Sequence, residues 1–260
     1  MFETIQIETD TRGVATLSLA RPDKRNAMSA EMIDELARAA EELGRDPQVR
    51  VVVLAAHGNT FCAGGDLNWM RVQMVADAVT RREEAATLAL MLKALNELPK
   101  PLIGRVHGNA FGGGLGLMSV CDCVVAADTA RFGFTETRLG LIPATIGPYV
   151  IARMGEANAR RVFMSSRIFD AQEAGALGLA AHVVGPEALD AVIETEVNAY
   201  LACAPGAVAE AKALARAFGP VIDRAAIDRS IDALVRRWED PESDEGIGAF
   251  FEKRAPEWKA

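Results

Sequence analysis

The 260-residue sequence predicts an α/β fold: a largely parallel sheet with helical cover, followed by a helical C-terminal part. Two observations carry this. The runs at 49–56, 102–106 and 123–127 are apolar almost throughout, and a strand apolar on both faces belongs inside a covered, mostly parallel sheet. Strand patterns are concentrated before residue 135 and helical patterns after it, with no low-complexity linker between them. An α/β core with a helical extension fits this better than two independent domains. The residues show no internal repeat.

Taken in order, 4–8 and 14–19 alternate as strands around the turn 10–13, which makes a hairpin. The polar loop Arg21-Pro22-Asp23-Lys24-Arg25-Asn26 follows. Ser29 is placed to cap a helix with Met32, Ile33, Leu36, Ala37, Ala40 and Leu43 on one face. Gly44 and Pro47 stop it. The strand at 49–56 leads to the loop Gly58-Asn-Thr-Phe-Cys-Ala-Gly-Gly-Asp66-Leu67. Residues 70–98 read as helical, with Leu88, Met91, Leu92, Leu95 and Leu98 as the stripe, and Pro99 and Pro101 end that run. The strand 102–106 leads to Gly112-Gly113-Gly114 and a helix over 115–120, and a strand follows at 123–127. Helices are then expected at 147–154, 156–165, 170–177, 186–202, 206–217 and 222–238, with 181–184 alone extended.

Composition excludes several classes. Half of the residues are hydrophobic and a quarter charged, as in an ordinary globule. A net charge of −8 argues against general binding to nucleic acid or to anionic membranes. The most apolar run, 110–121, is too short to span a bilayer, and the first residues lack the pattern of a signal peptide, so a cytoplasmic protein is expected. Cys62, Cys121, Cys123 and Cys203 are expected to be reduced and mostly buried. Cys121 and Cys123 are too close for a zinc knuckle, and His57, His107 and His182 show no ligand spacing, so no metal is expected. No redox cofactor is indicated.

The chemistry concentrates in residues 106–143. Glycines that open a helix expose backbone N–H groups and favour negative charge. Glu136 follows in an apolar neighbourhood, where a carboxyl pKa is raised toward neutrality. If the loops 63–66 and 112–114 face one another, the N–H groups of Gly65 and Gly113 converge on one oxygen. Blander readings stand beside these: an ordinary strand-to-helix turn at 63–66, and a surface Glu136 paired with Arg131 or Arg138. No Gly-x-Gly-x-x-Gly pattern or P-loop is present, and Ser119 lacks a nucleophile elbow.

Together these segments resemble the crotonase family, also called the enoyl-CoA hydratase/isomerase family, over nearly the whole chain. The matching stretches are Arg21-Pro22-Asp-Lys-Arg-Asn26-Ala27, Phe61-Cys-Ala-Gly-Gly-Asp66-Leu67, Val106-His-Gly-Asn-Ala-Phe-Gly-Gly-Gly114, Cys121-Asp122, Phe132-Gly133 and Leu139-Gly-Leu-Ile-Pro143. The resemblance implies a spiral of repeated ββα units over 1–195 carrying an acyl-CoA site, with a helical oligomerisation region over 196–260 that assembles homotrimers or homohexamers. It implies an acyl-CoA thioester substrate whose oxygen is held by the N–H groups of Gly65 and Gly113. Lys24, Arg25, Asn26, Ala27, Ala63, Gly64 and Asp66 would lie along the coenzyme. Phe250 and Lys253 would reach a neighbouring chain's coenzyme.

One departure stands out. Hydratases of the family carry two glutamates, and here the first position is Gly116. Within the family, the segments at 112–117, 135–145, 156–161 and 249–254 look most like methylglutaconyl-CoA hydratases of leucine and isoprenoid catabolism. The expected reaction is therefore reversible hydration of a branched or carboxylated 2-enoyl-CoA. Glu136 would be the acid–base group, and Gly116 would leave space for the acyl branch or a water. A single-glutamate double-bond isomerase and a non-catalytic acyl-CoA-binding protein are the alternatives.

Overall fold

A computed structural model describes residues 2–259. Strands β1 (Ile5–Thr9) and β2 (Val14–Leu19) form the expected antiparallel hairpin. Helix α1 (Ala30–Arg45) is capped by Ser29, whose side chain accepts the Met32 N–H, and it buries Met32, Ile33, Leu36 and Leu43. Next come β3 (Val51–Ala56), β4 (Thr60–Cys62), α2 (Leu67–Val75) and α3 (Ala78–Asn96). The chain continues through β5 (Leu102–Val106), β6 (Asn109–Phe111), α4 (Gly113–Ser119), β7 (Cys123–Ala127) and β8 (Arg131–Gly133) to a 3-10 turn at Glu136–Leu139.

The strands sort into two sheets. The larger has the order β1-β2-β3-β5-β7 and ends on a later strand, β10 (His182–Val184); it is parallel from β2 onward. The smaller runs β4-β6-β8, parallel, and ends on an antiparallel later strand, β9 (Phe169–Asp170). Three times in succession the chain lays one strand in the large sheet, the next in the small sheet, and then a helical segment. This is a spiral of ββα units, although the residues themselves show no repeat. The small-sheet strands β4, β6 and β8 have three residues each, too few for an alternating pattern to show.

Helices dominate the remainder: α5 (Gly147–Met154), α6 (Glu156–Phe163), then β9 (Phe169–Asp170), α7 (Ala171–Ala176), β10 (His182–Val184), α8 (Leu189–Leu201), α9 (Pro205–Ala217), α10 (Arg224–Trp238) and α11 (Pro241–Glu252). The boundary expected after residue 195 falls inside α8. The last two helices also turn back over the core. Ile227, Ile231, Leu234, Trp238 and Ile247 bury themselves with Met70, Ala85 and Ala89 in one apolar cluster. Residues 224–252 therefore contribute to this chain's own core, because α10 and α11 carry apolar stripes that α2 and α3 cover. Helix α9 differs, since it contributes no buried residue. Cys62, Cys121 and Cys123 are buried free thiols, whereas Cys203, also free, is exposed because it lies in the loop after α8. No described helix is long and apolar enough to cross a membrane.

Candidate active site

The three small-sheet strands run parallel and side by side, so the segments leaving their C-terminal ends become neighbours. Gly65 follows β4, Gly113 follows β6 and Glu136 follows β8. The Gly112 N–H donates to the Gly133 carbonyl at 3.0 Å, tying the second segment to the third. A Cβ at Gly64 would lie 3.1 Å from the Phe111 carbonyl oxygen, and Gly64 has φ +97°, so only glycine fits between the first two. Gly112, at φ +48°, brings its backbone against the acid, since a Cβ there would meet Glu136 Oε1 at 3.0 Å.

Loop 63–66 is splinted from the other side by residues 25–28. The Met28 N–H donates to the Gly64 carbonyl at 2.8 Å, the Asp66 N–H to the Met28 carbonyl at 3.0 Å, and the Ala63 N–H to the Arg25 carbonyl at 3.0 Å. Those bonds skip Gly65. Among the described residues, neither the Gly65 nor the Gly113 N–H donates to a protein acceptor. Both residues border one cavity of about 420 Å³, as do Ala63, Gly64, Gly112 and Glu136. Its remaining wall is largely apolar, drawn from α2 (Trp69, Met70), from α10 (Leu234, Trp238) and from the segment Leu141–Ile146.

Glu136 stands alone in this wall. Its Oε2 is buried and has no hydrogen-bond partner among the described residues. Burial pushes its carboxyl up to about 7. Neither arginine considered as a partner reaches it. Arg131 donates to the Thr129 and Ala130 carbonyls, and Arg138 donates to the Ser166 carbonyl at 3.0 Å. A carboxyl poised near neutral pH beside unused N–H donors has the parts for moving a proton next to a polarised carbonyl.

Several sequence expectations change here. Gly116 does not leave open space. A Cβ there would lie 2.5 Å from Ile146 Cγ2, because the loop before α5 packs Ile146 against the glycine face of α4. Asn26 is fully buried and not free to touch a coenzyme. Its Oδ1 accepts the Arg21 N–H at 2.9 Å, and its Nδ2 donates to the His57 and Thr60 carbonyls, each at 2.8 Å. It pins the loop that becomes the splint. Asp66 is likewise structural. It accepts the Asn68 N–H at 2.8 Å to cap α2 and pairs with Arg21 at 3.0 Å. Burial pushes its carboxyl up, but these bonds outweigh that and hold it below its usual value.

Of the other expected coenzyme residues, Ala63 and Gly64 line the cavity, Ala27 is buried, and Lys24 and Arg25 are exposed outside the lining. Phe250 lines its own chain's cavity, because α11 packs back on the turn 136–139. Lys253 ends α11 in a left-handed conformation, exposed and away from the wall. The sequence reading missed Ile146, Trp69, Leu234 and Trp238. Ile146, Leu234 and Trp238 have no local signal, whereas Trp69, four residues after Gly65, is a large aromatic residue beside a glycine loop, a position that suits a pocket wall.

Comparison with known proteins identifies the family. The family model described as "Enoyl-CoA hydratase/isomerase" matches residues 9–260. The chain belongs to the enoyl-CoA hydratase/isomerase family. It is thus an enzyme of a hydro-lyase family. It is similar to a putative enoyl-CoA hydratase of Thermus thermophilus, 32% identical over 253 residues, covering 96% of this chain and 99% of the relative. A mitochondrial methylglutaconyl-CoA hydratase of Rattus norvegicus is 32% identical over 263 residues, covering 97% of this chain and 81% of that protein. The crystal structure of an enoyl-CoA hydratase from Shewanella pealeana superposes with a TM-score of 0.82 at 37% identity, covering 99% and 97% of the two chains. These crotonase-fold neighbours share the mixed α/β spiral described above.

Proposed function

We propose that the cavity binds a 2-enoyl-CoA and that the protein adds water reversibly across its 2,3 double bond. The observation that carries this reading is Glu136: a carboxyl whose Oε2 is buried without a partner, raised to about 7, on the same cavity as the unused N–H groups of Gly65 and Gly113. In the proposed reaction those two N–H groups hold the thioester oxygen and stabilise the enolate. Glu136 takes a proton from water as the hydroxyl joins C3, and a proton is returned at C2. A group with a pKa near 7 is present in both forms at neutral pH, which suits reversible transfer. We assign the coenzyme phosphates to Lys24 and Arg25, which are exposed just before and at the start of the segment that splints loop 63–66.

The wall around the acyl position favours an apolar chain. A carboxylated substrate such as methylglutaconyl-CoA has one observation in its support: Arg138, the only cation in the lining among the described residues. A second reaction also has a specific observation. With Ile146 over Gly116, no second carboxylate helps hold a water, and Glu136 alone suffices to move a proton between C2 and C4. That is double-bond isomerisation. For assembly we propose a homotrimer or homohexamer, supported by α9, which buries nothing, by the exposed Leu214 on it, and by the exposed Phe218 and Val221 just after it.

A panel of straight-chain 2-enoyl-CoAs, a methylglutaconyl thioester and a 3-enoyl-CoA tests these readings together. Hydration is expected, with Glu136→Gln lowering turnover by roughly 10²–10⁴. Near-normal hydration by that variant removes Glu136 from the mechanism. Conversion of the 3-enoyl to the 2-enoyl thioester without water addition selects the isomerase. Tight coenzyme A binding with no turnover of any thioester would leave a binding protein.

A further inference from the structure

The larger sheet carries a second group of reactive side chains, none of which lines the cavity. Cys123 opens β7 and His182 opens β10, the edge strand of that sheet. The two strands are parallel with His182 opposite Val125, so Cys123, Val125 and His182 share one face. Helix α8 covers that face through Leu189, Ile193 and Val197, which pack with Cys123 and Val125. Glu196, next to Val197, is thereby brought to the same corner. The His182 Nε2 lies 2.9 Å from a Glu196 carboxylate oxygen, and the ligand atoms of Cys123, His182 and Glu196 all lie within 4.8 Å of one another.

We propose that Cys123, His182 and Glu196 form a zinc-binding site that clamps β10 and α8 to β7. A thiolate, an imidazole nitrogen and a carboxylate are the donor types zinc prefers, and three protein ligands leave a fourth position for water. Tetrahedral zinc spaces its ligand atoms roughly 3.3–3.8 Å apart, so the His182–Glu196 pair opens slightly from 2.9 Å while the farthest pair closes by about an ångström. The His182 side chain is 42% exposed, which gives an ion a way in. A thiolate and a carboxylate together match the dication's charge. The other charges at this corner are Arg153 and the Asp122–Lys212 pair at 2.8 Å, of which Arg153 favours the thiolate.

A nucleophilic Cys–His–Glu triad fits less well. Burial, with help from Glu196, pushes the Cys123 thiol up to about 11, so it is protonated at neutral pH. Zinc must displace that proton: the S–H bond breaks, an S–Zn bond forms, and one proton leaves to solvent.

The test uses the tag-free full-length protein, stripped with a chelator and titrated with zinc against a chromogenic competitor. One zinc per chain, release of about one proton in weak buffer near neutral pH, and a higher melting temperature are expected. Cobalt in place of zinc should give the near-ultraviolet band of a thiolate–metal bond. Cys123→Ser and Glu196→Gln should weaken zinc binding by at least roughly 100-fold. The variant His182→Ala, at an exposed edge position, should do the same without disturbing the fold. All three should keep wild-type acyl-CoA turnover, which also reports that they are folded. No zinc uptake at micromolar free metal, a cobalt spectrum without the sulfur band, or unchanged affinity in His182→Ala would overturn the proposal.

Discussion

Replacing Glu136 with Gln should stabilise the protein while disabling it, and the gain should depend on pH. In the folded protein burial raises this carboxyl from 4.5 to about 7. The folded state therefore holds the proton more tightly than the unfolded chain does. Its relative stability is complete below pH 4.5 and is lost as pH rises through 7, where a charge must form on a carboxyl whose buried Oε2 has no partner. At about 1.4 kcal/mol per tenfold change in proton affinity, that rise in pKa amounts to roughly 3–3.5 kcal/mol. Glutamine has no such penalty. The variant should match the wild type below pH 4.5, exceed it by about 1 kcal/mol at pH 5, and level off near 3 kcal/mol above pH 7. Urea denaturation of both proteins across pH 5–9, at one fixed protein concentration because assembly shifts apparent stability, measures this directly. A stability difference that does not change with pH would show that Glu136 is not desolvated. Glu136 would then lack its catalytic poise as well.

The same titration should appear in kinetics. If ionised Glu136 is the base for hydration, kcat/KM should fall about tenfold per pH unit below 7, and this limb should vanish in the Gln variant. Gly116→Ala should destabilise, although glycine to alanine inside a helix ordinarily gains up to about 1 kcal/mol, because the new Cβ meets Ile146 at 2.5 Å. Adding Ile146→Ala should recover part of that loss in thermal melts, and no recovery would mean that Ile146 is not the obstacle. Asn26→Ala should cost about 3 kcal/mol by stranding the Arg21 N–H and the His57 and Thr60 carbonyls. Lys24→Ala should leave stability unchanged and raise KM for the acyl-CoA. Equal behaviour of these two variants would contradict the separate roles assigned to them.

Much of this protein is legible along the chain. The apolar periodicity and Ser29 cap of α1, the doubly apolar β3, β5 and β7, and the proline stop before β5 depend on near neighbours, and all are present where the residues place them. The ordered motifs around Gly65, Gly113 and Glu136 mark the family for the same reason, since each is a short local run. The three-residue strands are not legible, because they are held by pairing with other strands and not by their own pattern.

Other features exist only once distant residues share a volume. Asn26 and Asp66 resemble ligand contacts in sequence, yet the fold spends their hydrogen bonds on the chain itself. The glycine at 116 reads as open space until Ile146 fills it, and Trp238 and Phe250 join a cavity more than a hundred residues upstream only because α10 and α11 fold back. The raised carboxyl at 136 and the corner of Cys123, His182 and Glu196 have the same origin. A residue's type and spacing are properties of the chain, but its solvation and its partners belong to the packed whole. Propensity can therefore be read from the sequence, whereas poise is decided by tertiary structure.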